Sequence, residues 1–209
     1  MVSAGSLSAS LGHLTQAGPI LLFALIAAQR LSELRLAKHN QTIALAQGGR
    51  LIHEPHYWMF IVLHTGWLLA WLIEAWMRGA QLQALWPMWL MGLVVATGLR
   101  YWAIASLGAR WNTRIIVFDG LAPVRAGPYA YLTHPNYVAV AIELACVPLI
   151  FGAWWTALIC SGLNAALLLG LRIPTETRAI QNAAEASADK RPAPDCDVDS
   201  GDSDSDSDD

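Results

Sequence analysis

Five apolar stretches, separated by charged or turn-forming segments, set the pattern of this chain. The first runs from Gly18 to about Leu36, and its second half carries Gln29, Arg30, Ser32, Glu33 and Arg35. Arg30 and Glu33 stand three apart, a spacing that lets them pair near a helix end. The second runs from Tyr57 to about Trp76 with Glu74 as its only charge. The third runs from about Met88 to Ser106, with Arg100 and Tyr101 in its last turns. These three approach the ~20 apolar residues that cross a bilayer as a helix. The last two, Tyr137 to about Ile150 and Thr156 to about Leu171, are shorter. They read as a helical hairpin with Phe151–Trp155 at its tip, a re-entrant pair being the alternative. The pattern predicts an all-α integral membrane protein with about five transmembrane helices.

The connections carry the polar chemistry. Met1 to Ala17 has no Lys or Arg and reads as an extracytoplasmic lead. Lys38 to Pro55 reads as a loop broken at Gly48-Gly49, and Leu107 to Asn136 as a polar loop with an extended segment over Arg114–Phe118. Gly127-Pro128 is a turn signal, and Pro135 suits the first turn of a new helix with His134 near its cap. Residues 18–184 make up the membrane domain; residues 185–209, ending in alternating Asp and Ser, form an acidic tail that cannot build a core and is expected to be disordered.

Composition agrees with this pattern. Of 209 residues, 55% are hydrophobic and 14% charged, mean hydropathy is +0.39, and there are ten Trp. A soluble chain of this size has difficulty hiding that much apolar surface. The net charge of -3 averages two regions. Ten acids and two bases fall from Glu185 onward, leaving six acids and eleven bases, or +5, before it. A basic body suits an anionic leaflet, and no basic face with interleaved aromatics points to nucleic acid. Cys146, Cys160 and Cys196 form no CxxC pair, so neither a zinc site nor a disulfide framework is expected. His53, Glu54, His56 and the distant His64 are too sparse a set for a metal centre.

Positive charge sets the orientation. Arg35, Lys38 and Arg50 lie in or beside the first loop, and Arg100, Arg110, Arg114 and Arg125 in or beside the third. Arg172, Arg178, Lys190 and Arg191 follow the last span; the second connection has only Arg78 and the hairpin tip none. The amino terminus is therefore expected outside, and the third loop and carboxy terminus in the cytoplasm. This gathers Arg125, His134, Asn136, Tyr137, Arg172 and Glu176 at one face. Asn136 and Glu143, seven apart, share a helix face ~10 Å apart, and an intramembrane acid is a functional candidate. Arg172 and Glu176, four apart, also share a face.

The runs Pro123-Val124-Arg125-Ala126-Gly127-Pro128-Tyr129 and His134-Pro135-Asn136-Tyr137, then Glu143, a hydrophobic hairpin, and Arg172 followed by Glu176, resemble the isoprenylcysteine carboxyl methyltransferase family. The resemblance covers about Arg100 to Ile180. Ser106-Leu107-Gly108, Arg110-Trp111-Asn112-Thr113 and Arg172-Ile173-Pro174 are similar to a bacterial branch that O-methylates alkylpyrones. It implies a bacterial inner-membrane enzyme that binds S-adenosylmethionine at the cytoplasmic face, under the segment after the last span. His134, Pro135 and Tyr137 match the cofactor motif, with Arg125, Tyr129, Asn136 and Glu143 as further cofactor contacts. Arg172 and Glu176 match the active-site motif. Thr133 replaces a basic residue and Thr177 a second Glu of the family pattern.

The resemblance further implies a lipophilic acceptor that enters from the bilayer and is methylated on a carboxylate or acidic enol oxygen. Such an oxygen is already anionic near neutral pH, so a strong base is not required. Arg172 is expected to hold that anion by a bidentate contact, with Glu176 orienting Arg172 or the cofactor amine. His134 and Asn136 are expected to hold polar atoms of the cofactor, and Tyr137 to pack on adenine. Two other classes remain open. Membrane sterol and steroid reductases carry a similar late His-Pro motif and use NADPH, with more spans. A non-catalytic membrane scaffold would use the acidic tail as its interaction element.

Overall fold

The computed structural model describes residues 4–119, 121 and 124–189, with side chains from residue 17 to residue 186. In chain order the elements are α1 (Ala4–Ala46), β1 (Arg50–Leu51), α2 (Tyr57–Met77), α3 (Trp86–Leu107), β2 (Ile116–Val117), α4 (Pro135–Ile150), α5 (Trp154–Leu167) and α6 (Ile173–Asp189). A π-helical turn, Leu168–Arg172, joins α5 to α6, so the described residues form five continuous helices. Three of these are long and apolar enough to cross a membrane: Tyr57–Met77, Trp86–Arg110 and Trp154–Ala186. Helix α4 is shorter, and α1 carries the first apolar stretch.

Several boundaries differ from the pattern reading. The expected loop from Lys38 is helical to Ala46, because one long α1 continues past its charged turn. That extension lets Asn40 reach the next loop: its amide donates to the carbonyls of Gly108 (3.2 Å) and Trp111 (2.8 Å). The polar run after Arg172 is also helical, and α6 is amphipathic, with Ala179 and Ala183 packed on Ile115 and Val117. It extends through 185–189, the first residues of the expected tail; the rest of that tail lies outside the described residues. The extended segment before Phe118 forms β2, which pairs antiparallel with β1 in the register Arg50↔Val117 and Leu51↔Ile116.

The core lies between α2, α3, α4 and α5. Trp67, Trp71, Leu144, Val147, Ile150 and Phe151 are buried together. Trp71 and Phe151 stack with centroids 6.2 Å apart, and Trp67 Nε1 donates to the Leu144 carbonyl at 3.1 Å. Helix α3 lies close along α4, since a Cβ on Gly92 would sit 2.7 Å from Cys146 Sγ. At the hairpin tip Glu74 accepts from the Trp155 and Thr156 amides and from Thr156 Oγ1, which caps the orphan donors of α5. The opposite faces leave Leu25, Leu69, Ile73, Val94, Leu158 and Leu163 exposed, as helix faces that meet lipid do.

One ion cluster sits inside this helical layer. Arg30 donates to Glu33 at 2.8 Å and to Glu143, and Arg100 donates to Glu143 through Nε at 3.0 Å and through a second nitrogen, and to Glu33 at 3.2 Å. Gln29 adds a bond to Glu33. Two bases and two acids from α1, α3 and α4 therefore neutralise one another where water is scarce. The pair read as a local i,i+3 contact is one edge of this quartet.

Candidate active site

A cavity of about 1270 Å³ opens between the helices and the loop before α4. It has two levels. Tyr57, Leu107, His134, Tyr137, Arg172 and Glu176 ring its mouth, while Arg30, Glu33, His64, Arg100 and Asn164 lie deeper. The depth follows from helix rise: seven residues separate Tyr57 from His64 and Arg100 from Leu107, or about 10 Å at 1.5 Å per residue.

The last helix lines both levels. Asn164, Leu168, Arg172, Glu176 and Ile180, spaced four apart, all face the cavity. In an ideal α-helix each such step rotates by about 40°, so the series drifts off any one face. The wider π-helical turn at Leu168–Arg172 offsets part of that drift, which places Arg172 and Glu176 on the same wall as Asn164.

At the mouth, Gly127–Ala130 forms a 3-10 turn with Gly127 at φ +58, and Pro135 opens α4 with His134 as its N-cap. The His134 and Tyr137 rings stack, 5.0 Å between centroids at 12°. Tyr137 OH donates to Glu176 Oε2 at 2.6 Å and accepts from Arg172 Nε at 3.1 Å. His134 Nδ1 lies 3.9 Å from the same Glu176 oxygen. Tyr129 also lines the cavity; burial, then the nearby Glu176 charge, push its phenol up to about 12, so it stays a neutral donor. Asn136 lines the cavity and its Oδ1 is buried without a partner among the described residues. Arg125 is exposed at the rim, and Pro135 is buried beneath α4's first turn.

Glu143 is placed elsewhere. It is 1% exposed, engaged by Arg30 and Arg100, and does not line the cavity. Its spacing from Asn136 put both on one side of α4, but α3 closes over the deeper position.

Arg172 is held on three sides. It donates to Glu54, to the Thr113 carbonyl at 2.8 Å and to Tyr137 OH. An anion gripped by both ends of its fork would have to displace Glu54 or Thr113. Glu54 also accepts from the Ile115 amide at 2.9 Å and from Arg114 Nε at 3.3 Å, and the Arg114 guanidinium lies 4.3 Å from the Tyr57 ring centroid. Glu54 was the missed residue: a single acid before a proline in a loop carries no spacing signal. Asn164 was missed too, although a lone amide inside an apolar run is the kind of signal that marks it.

Comparison with known proteins adds to this geometry. The profile of the isoprenylcysteine carboxyl methyltransferase (ICMT) family matches residues 88–182. The uncharacterized protein YpbQ of Bacillus subtilis (strain 168) is 35% identical over 161 residues, which cover 77% of this chain and 95% of that protein. No solved structure matches. The profile spans the mouth residues from Leu107 to Glu176, while Glu54, Tyr57 and His64 precede it.

Proposed function

The chain belongs to the isoprenylcysteine carboxyl methyltransferase family, and from that premise we propose that it methylates an oxygen of a lipophilic acceptor with S-adenosylmethionine. The family is one of methyltransferases, and the apolar helices make this an integral membrane protein. The observation that carries the reading is the stacked His134–Tyr137 pair, with Tyr137 donating to Glu176, at the mouth of a cavity that reaches into the helical layer.

The residues present fit the cofactor. S-adenosylmethionine supplies an electrophilic methyl group on a sulfonium, together with an ammonium, a carboxylate and an adenosine. Glu176 and the faces of the stacked rings offer negative potential toward a cation. Asn136 Oδ1, buried and without a partner among the described residues, offers an acceptor to a polar hydrogen. Arg125, Tyr129, His134, Asn136 and Tyr137 are assigned to cofactor binding, with Pro135 setting the start of α4. Ligand cavities commonly measure about 300–1,000 Å³, so this one has room for cofactor and acceptor together.

Arg172 and Glu176 orient the site. Glu54 and Thr113 lock the guanidinium, which fixes the Tyr137 hydroxyl and through it Glu176. Rigid placement of reacting groups supplies several kcal/mol of a transfer barrier. A carboxylate or an acidic enol, such as that of an alkylpyrone, is the acceptor the reading favours. The distribution of positive charge supports a mouth in the cytoplasm, and the Bacillus relative supports a bacterial inner membrane.

The test is transfer of labelled methyl from the cofactor into a bacterial lipid extract, followed by identification of the product. Wild-type protein should label one lipophilic species, and Arg172→Ala should lose that activity while still inserting in membranes. Full activity of Arg172→Ala removes it from the mechanism. Hydride transfer from NADPH without methyl transfer would replace the reading.

A further inference from the structure

The turn that precedes α4 lies deeper in the helical layer than its polar sequence suggests. Helix α4 has 16 residues, about 24 Å at 1.5 Å per residue. A hydrocarbon core is about 30 Å thick. The far end of α4 is fixed at the opposite boundary: the Gln83 amide, just before α3, donates to the Ile150 carbonyl at 3.1 Å, and Trp154 and Trp155 at the start of α5 are exposed. Exposed tryptophans mark the level of the headgroups. The first residues of α4 therefore fall about 6 Å, or roughly one helical turn, short of the boundary on their own side. Any tilt of α4 increases that shortfall.

Helix α3 gives the same level independently. It starts at Trp86 beside that far end, so a rise of about 30 Å reaches Ser106. Gly127 packs on this last stretch: a Cβ there would lie 3.0 Å from Trp102 Nε1 and would overlap Ser106 Oγ. The Gly127–Ala130 turn thus sits beside Trp102–Ser106, just inside the edge of the hydrocarbon core.

Its backbone and side chains suit that place. The Tyr129 amide donates to the Ala126 carbonyl at 3.2 Å, and the Tyr131 and Leu132 amides both donate to the Pro128 carbonyl, at 3.1 and 2.9 Å. Pro128 and Pro135 carry no N–H. An irregular segment meets lipid only when its backbone is satisfied within the protein. Tyr131 is 83% exposed, and Leu132 and Val138, one turn into α4, are exposed as well. The exposed series Val94, Val95, Tyr101 and Trp102 on α3 leads up to them, so the lipid-facing surface of α3 continues onto the turn. A tyrosine at such a boundary buries its ring and keeps its hydroxyl among the headgroups.

We propose that Tyr131 and Leu132 form a membrane-contact surface, seated at the acyl–headgroup boundary of the leaflet on the side of the mouth. One side of the rim then meets lipid, while the side formed by α6 meets water. The contact sets the depth of His134 and Pro135 in the leaflet. It is independent of the methyltransferase reading, since it holds whether or not a methyl group is transferred.

The experiment is photocrosslinking of the full chain in phosphatidylglycerol nanodiscs, with lipid adducts counted by mass spectrometry. Tyr131→p-benzoylphenylalanine keeps a para-substituted ring, and Leu132→p-benzoylphenylalanine is a second probe of the same surface should the first not fold. Val94→p-benzoylphenylalanine is the lipid-facing reference. Gln181→p-benzoylphenylalanine is the water-facing one, since exposed Gln181 lies about 40 Å from Trp154 along one continuous helix. Adducts to lipid at positions 131 and 132 should come within about threefold of position 94 and exceed position 181 at least about tenfold, as lipid contact and water contact differ. Absence of lipid adducts at both 131 and 132, with position 94 labelled, overturns the contact. Lipid labelling at position 181 equal to that at 131 also overturns it, because the depth argument puts α6 outside the bilayer.

Discussion

Replacing Glu143 by Gln tests whether this acid belongs to the scaffold or to the cofactor. The carboxylate accepts from Arg100 Nε at 3.0 Å, from a second Arg100 nitrogen and from Arg30, at 1% exposure. Gln keeps the shape and removes the charge, leaving two guanidinium groups to share Glu33. Removing one partner of a buried pair costs about 3–5 kcal/mol, because the other charge is stranded. A chain of this size loses roughly 2–4 °C of melting midpoint per kcal/mol, so Glu143→Gln should lower the midpoint in detergent by about 6–20 °C. Arg100→Met combined with Glu143→Leu should recover most of that loss, since an apolar pair fills the same space and Arg30 keeps Glu33. Cofactor binding below the melting range should be unchanged. An unaltered midpoint for Glu143→Gln with lost binding of labelled cofactor would refute the scaffold role and return Glu143 to the cofactor.

Other changes probe the mouth. Glu54→Ala leaves Arg172 and Arg114 without their shared acceptor, so cofactor affinity should fall at least about tenfold with a loss of stability near 3 kcal/mol; calorimetric titration of the purified variant checks this. Tyr137→Phe removes the hydroxyl between Glu176 and Arg172, bonds worth about 1.5–3 kcal/mol to charged partners, and kcat/KM for methyl transfer should drop roughly ten- to hundredfold while ring stacking persists. Gly127→Ala forces a side chain onto φ +58 and drives its Cβ into Ser106 Oγ, so the midpoint should fall by several degrees, about 1–3 kcal/mol of strain. Truncation after Asp189 leaves every described contact in place, and a transfer assay should find activity unchanged.

How much could be read beforehand depends on the range of each interaction. The spans Tyr57–Met77 and Trp86–Leu107 follow from long apolar runs, and the α4 start follows from Pro135. The approach of His134, Tyr137 and Glu176 was suggested by motif positions, whereas their bonds needed the fold. The length of α1 was hidden because Lys38 to Thr42 are polar and the short run Ile43 to Ala46 leads straight to Gly48-Gly49, and this end of the helix is held by Asn40 reaching across 68 residues to Gly108. Glu54 and the Arg30–Glu33–Arg100–Glu143 quartet join residues far apart in sequence, so no local spacing announces them. Asn136 and Glu143 show the limit of face arguments: one helix side can carry a cavity residue and, two turns on, a residue sealed by its neighbour.

The central claim is that the mouth built by His134, Asn136, Tyr137 and Glu176 holds S-adenosylmethionine. Saturable binding of the labelled cofactor to the full chain in nanodiscs measures it directly. The account predicts binding by wild type that Glu176→Ala abolishes without loss of fold. Folded, membrane-inserted wild type that takes up no labelled cofactor contradicts it.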